Sequence, residues 1–62
     1  MEGSNVVVGK RLLAVDDNAD SAELVARIAG RCGYETRTAS VPTDVRQVLA
    51  EWKPDVVFQV DL

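Results

Sequence analysis

The sequence predicts an α/β fold, three parallel strands alternating with two helices in the order βαβαβ. Three observations carry the prediction. Short apolar or β-branched runs at 11–15, 34–39 and 56–60 alternate with two longer segments whose apolar residues recur at helical spacing. The connections between them are tight, as strand–helix–strand units require. An acidic pair, Asp16-Asp17, stands where the first run ends and the first helix begins. That is the carboxyl edge at which open α/β sheets keep their ligand sites.

Each element has its own justification. Residues 1–10 read as a flexible N-terminal arm, and 11–62 as the folded unit. Gly3 to Lys10 has the outline of a phosphate loop. However, five residues separate Gly3 from Gly9, and Arg11 stands where Ser or Thr is required, so that reading is rejected. Arg11 to Val15 is short and apolar and predicts a buried strand. Asp16 to Ser21 is a polar cluster that opens a helix. Asp20-Ser21-Ala22-Glu23 has capping-box spacing, with Asn18 a rival cap one turn earlier. Ala22, Leu24, Val25, Ile28, Ala29 and Cys32 form the apolar stripe of this helix, with Arg27 and Arg31 on its other side, near the negative end of the helix dipole. Gly33 is placed to end it.

Tyr34 to Ala39 alternates, with Tyr34, Thr36 and Thr38 on one face, and is polar enough for an edge strand. Ser40-Val41-Pro42-Thr43 starts a second helix with Pro42 at or near its first position. Val41, Val45, Val48, Leu49 and Trp52 form its core-facing stripe, and Lys53-Pro54 stops it. Val56 to Val60 is a third strand, apolar except for Gln59. Right-handed crossovers are expected for both parallel connections. With the first strand in the middle, the strand order is 2-1-3 and the helices cover opposite faces.

The totals narrow the function. With 62 residues the chain is one domain or less. A unit this small buries only about 60% of the surface its unfolded chain exposes, and its core supplies roughly 3–5 kcal/mol. The single cysteine, Cys32, excludes an internal disulfide and reads as a small buried hydrophobe. One cysteine and no signal peptide fit a reducing cytoplasm, and the Val6-Val7-Val8 run is far too short for a membrane span. A net charge of −3 and a pI near 4.6 argue against nucleic acid as partner, and the basic residues are scattered, Lys10-Arg11 being the one adjacent pair. The chain has no histidine, which removes His-based triads, His zinc ligands and phosphohistidine carrier roles.

Leu13-Ala14-Val15-Asp16-Asp17-Asn18, then Ser21 to Gly33, Tyr34 to Ala39 and Lys53-Pro54-Asp55-Val56-Val57 together resemble the receiver domain of two-component response regulators. The match runs from about Arg11 to the last residue and covers the first half of such a domain. The resemblance implies a doubly wound, flavodoxin-like fold, truncated here to its βαβαβ half. It further implies a signalling module rather than an enzyme, with Asp16 and Asp17 binding Mg²⁺ and an aspartate at the end of the third strand accepting a phosphoryl group from a sensor histidine kinase or phosphotransfer protein. In the family the acceptor usually sits one residue nearer the Pro-Asp pair, where this chain has Val60. The role therefore falls on Asp61, which would also complete the metal-binding set. Gln59 lies two residues before it on the same side of the strand and would mark a degenerate site. The family's switch Ser/Thr and Lys come from later strands and have no counterpart among these residues. The physical chemistry suits the implied ion. Mg²⁺ is hard, prefers oxygen and needs few protein carboxylates because it keeps several waters.

Two further expectations follow. With the first strand central, the Val56–Val60 strand is a bare apolar edge, which invites pairing with a second copy or a complementary half. Two such edges joined across a two-fold axis give a continuous six-stranded sheet. Alternatively, the chain is a degenerate receiver that serves as an interaction or dimerisation piece without phosphorylation.

Overall fold

The computed structural model describes residues 9–59. The expected N-terminal arm lies largely outside the described residues, as do Val60 and Asp61. The described elements are β1 (Arg11–Val15), α1 (Ala19–Arg31), β2 (Glu35–Ala39), α2 (Pro42–Glu51) and β3 (Val56–Gln59). The three strands form one parallel sheet in the order β2-β1-β3. The register runs from Arg11 opposite Glu35 to Val15 opposite Ala39 on one side, and from Leu12 opposite Val56 to Val15 opposite Gln59 on the other.

β1, the central strand, is the one described strand with buried residues on both faces. Successive side chains of a strand point to opposite faces, and β1 feeds two separate cores. Leu12 and Ala14 pack with Ala22, Ala26 and Ala29 of α1, flanked by Val25 and Tyr34. Leu13, fully buried, packs with Ala39 and Trp52, flanked by Val15, Val45 and Val48 on the side of α2. The helices thus cover opposite faces of the sheet. The alanines let α1 approach β1 closely. They also make the first core thin, since larger side chains on α1 remain outside it.

The helix ends follow from local chemistry. Asn18, not Asp20, caps α1. Its backbone is extended and its side-chain oxygen accepts the Asp20 N–H at 2.9 Å. At the other end the Gly33 N–H donates to the Gly30 carbonyl at 3.1 Å and the Tyr34 N–H to the Ala29 carbonyl at 3.2 Å, a Schellman motif. Gly33 holds φ 101° there, a left-handed value that favours glycine. Tyr34 packs back on the cluster containing Ala29, completing the motif. α2 begins with Pro42 after Val41, whose side chain makes no capping bond. It ends where the Trp52 and Lys53 N–H groups both donate to the Val48 carbonyl and Lys53 turns to φ 54° before Pro54.

Several sequence expectations are corrected. Cys32 is exposed, because as the C-cap of α1 it sits beyond the last buried position, Ala29. Leu24 and Ile28 are 55% and 56% exposed, so the buried stripe of α1 is the narrower Ala22, Ala26, Ala29 line. On α2, Val41 and Leu49 are exposed, and only Val45, Val48 and the following Trp52 reach the sheet. Arg11, at the start of β1, ties the strand to its neighbours. Its guanidinium donates to the Trp52 carbonyl at 2.6 Å and pairs with Glu35 at 3.3 Å. It also lies over the Trp52 indole, as Arg37 does, at 5.6 and 5.1 Å from the ring centroid. The Asp55 carboxylate accepts the Arg11 N–H at 2.9 Å, while the Asp55 N–H donates to the Arg11 carbonyl at 2.8 Å. That reciprocal pair fixes the register of β3 against β1 from its first residue.

Candidate functional site

The end of the sheet opposite this clamp is where chemistry can occur. β1 stops at Val15, and the chain turns into α1 through Asp16, Asp17 and Asn18. The turn is built by its own side chains. Asp16 Oδ1 accepts the Asn18 N–H at 3.1 Å, Asn18 caps α1, and the Asp16 N–H extends the strand ladder to the Ala39 carbonyl at 3.2 Å. The acidic pair is therefore held on a rigid element between a central strand and a helix start.

The two carboxylates have different surroundings. Asp16 is 6% exposed, the one charged side chain among the described residues in the buried class. Its Oδ2 has no hydrogen-bond partner among the described residues. A buried carboxylate oxygen without a donor costs desolvation energy that nothing nearby offsets, and Asp17 adds a like charge one residue on. An oxygen-seeking cation is the kind of partner that would offset both costs. Asp17 is exposed and lines a groove of about 370 Å³ between α2 and β3, together with Val15, Ser40, Val45, Arg46 and Gln59. On the opposite face a smaller groove of about 210 Å³ separates α1 from β3, with Ile28 and Phe58 on its two sides.

The structure brings Asp16 and Asp17 to one sheet edge, as the sequence predicts. Asp61 lies outside the described residues, and among those residues no group of three His, Cys, Asp or Glu side chains gathers to hold an ion. The pair is thus a partial donor set of hard oxygens, chemically suited to Mg²⁺. Sequence reasoning missed Arg46, which lines the same groove as Asp17 because of how α2 crosses the sheet. Its signal was weak: one basic residue within an otherwise apolar and neutral helix face.

No protein-family model, curated protein or solved structure matches the chain. No described helix is long and apolar enough to cross a membrane.

Proposed function

We propose that residues 11–62 are the first half of a response-regulator receiver domain, a cytoplasmic phosphorelay module that takes a phosphoryl group on aspartate from a sensor histidine kinase or phosphotransfer protein. The observation that carries this reading is Asp16: a buried carboxylate at the carboxyl end of the central strand, with one oxygen spent on the Asn18 N–H and the other unpartnered. Asp16 and Asp17 would hold Mg²⁺, with Asp61 as third acid and acceptor. The ion, when bound, offsets carboxylate repulsion and stabilises charge developing on phosphoryl oxygens. The chain's own contribution is placement. The β1 ladder and the Asn18 cap fix the pair, and the groove beside Asp17 admits a donor. Titration of the ¹⁵N-labelled chain with Mg²⁺ tests this. Saturable amide shifts centred on Asp16 and Asp17, abolished in Asp16→Asn, support the reading. Shifts spread over the acidic surface and retained in the variant overturn it.

A second reading is favoured by β3. Val56, Val57 and Phe58 are 37%, 48% and 48% exposed, β3 is paired on one edge only among the described strands, and it carries no buried residue. A strand open on one edge and both faces is a template for another chain. In this reading the unit is an interaction or dimerisation piece that pairs through β3 with a second copy or a complementary half. Sedimentation equilibrium over micromolar concentrations tests the pairing. A concentration-dependent mass removed by Phe58→Lys supports pairing, and an invariant monomer mass contradicts it.

A further inference from the structure

The acidic pair creates a charge problem for any phosphate-bearing ligand, because two carboxylates repel it. A cationic side chain near the pair would offset that repulsion. Of the chain's seven Lys and Arg residues, most are placed elsewhere. Lys10 and Arg11 lie at the start of β1, the far end of the sheet from Asp16, and Arg11 is engaged by Glu35 and the Trp52 carbonyl. Arg37 lies over Trp52. Arg27 and Arg31 are on α1, across the sheet from the groove, and Lys53 follows the far end of α2. Arg46 alone lines the groove with Asp17.

We infer that Arg46 is the phosphate-recognising residue of this edge, and that the groove between α2 and β3 takes a phosphate-bearing anion. The groove has the make-up of a small-ligand site, an apolar floor including Val15 and Val45 with a few convergent polar groups. Arg46 supplies a guanidinium whose fork matches phosphate oxygens. Ser40 and Gln59 line the same groove, and a hydroxyl and an amide are groups able to donate hydrogen bonds to the remaining oxygens. Asp17 opposes an unaccompanied anion, so affinity should rise when a divalent cation occupies the acidic pair. Two adjacent sites then favour each other, and the coupling is reciprocal. The inference rests on the acidic-pair reading for this coupling, and on the groove alone for the anion contact.

The test uses the whole chain and two probes, Mg²⁺ alone and orthophosphate with and without Mg²⁺, followed by amide shifts. Arg46 is exposed, so Arg46→Gln leaves the fold intact, which amide dispersion verifies. The expected result is that Arg46→Gln weakens orthophosphate binding at least tenfold and leaves Mg²⁺ affinity within about twofold, with Arg46→Lys intermediate because it keeps charge but loses the fork. Arg27→Gln, which removes the same charge from α1, should leave orthophosphate binding unchanged. If both Gln variants weaken it equally, the effect is bulk charge and the inference fails. It also fails if Mg²⁺ binds at Asp16 and Asp17 but orthophosphate ignores Arg46, which leaves the acidic-pair reading standing. If orthophosphate binds through Arg46 and Mg²⁺ does not bind, the anion site stands and the acidic-pair reading falls.

Discussion

Asp16 offers the sharpest test of the energetic argument. Asp16→Asn preserves the shape and the Oδ1 that accepts the Asn18 N–H at 3.1 Å. It replaces the unpartnered anionic Oδ2 with a neutral amide nitrogen. At 6% exposure water offers that oxygen little compensation. A hydrogen-bonding group left unsatisfied costs about 1–3 kcal/mol, more when charged. The amide retains part of this cost, so the expected net gain is about 1 kcal/mol in metal-free buffer. With a urea m-value near 1 kcal/mol/M for a small domain, the midpoint should rise by about 1 M. Trp52, the only tryptophan and a buried one, reports unfolding by fluorescence. If Mg²⁺ binds at the pair, it should reverse the order. At ten times its Kd it stabilises the parent chain by about 1.4 kcal/mol and does nothing for the variant. A variant less stable than its parent by 1 kcal/mol without metal would refute the reasoning, since the carboxylate would then be earning stability in place.

Other expectations follow from the packing. Leu13→Ala removes the one large side chain that is fully buried among the described residues. The expected loss of about 2–5 kcal/mol approaches the whole stability of so small a unit, so far-UV circular dichroism should show a largely unfolded chain at 25 °C. Gly33→Ala forces a Cβ into φ 101° at the end of α1 and should cost about 1 kcal/mol or more. Gly30→Ala, within α1 and with open space around the added carbon, should instead gain roughly 0.5–1 kcal/mol. Opposite signs in thermal melts confirm that position, not composition, sets the role of these two glycines. Equal signs contradict it.

The strand order and both helices were legible because their causes are local: apolar periodicity, Pro42 at a helix start, Gly33 at a helix end. β2 starts at Glu35 rather than Tyr34 because Tyr34 is consumed by the Schellman turn, α1 starts two residues earlier than a cap at Asp20 implies, and the expected end of the third strand lies outside the described residues. Burial was less legible. Leu24, Ile28, Val41 and Leu49 carry the right periodicity, but hydrophobic spacing records which residues can be buried and not which neighbours cover them. The choice of Asn18 over Asp20 as cap follows from where β1 stops, a tertiary fact. At the site, the acidic pair could be read from its position between strand and helix. The difference between its members could not, nor could Arg46, since both depend on how α1 and α2 sit against the sheet. Asp61 as acceptor was read from the resemblance and lies outside the described residues.

The most direct test of the account is a ¹H–¹⁵N spectrum of the chain titrated with Mg²⁺ and then with beryllofluoride, a phosphoryl mimic. The expected result is dispersed resonances, saturable Mg²⁺ shifts at Asp16 and Asp17, and a second, Mg²⁺-dependent set at Asp61 and along the Arg46 groove. Dispersed resonances that ignore both additions would contradict it, leaving a folded βαβαβ unit without phosphoryl chemistry.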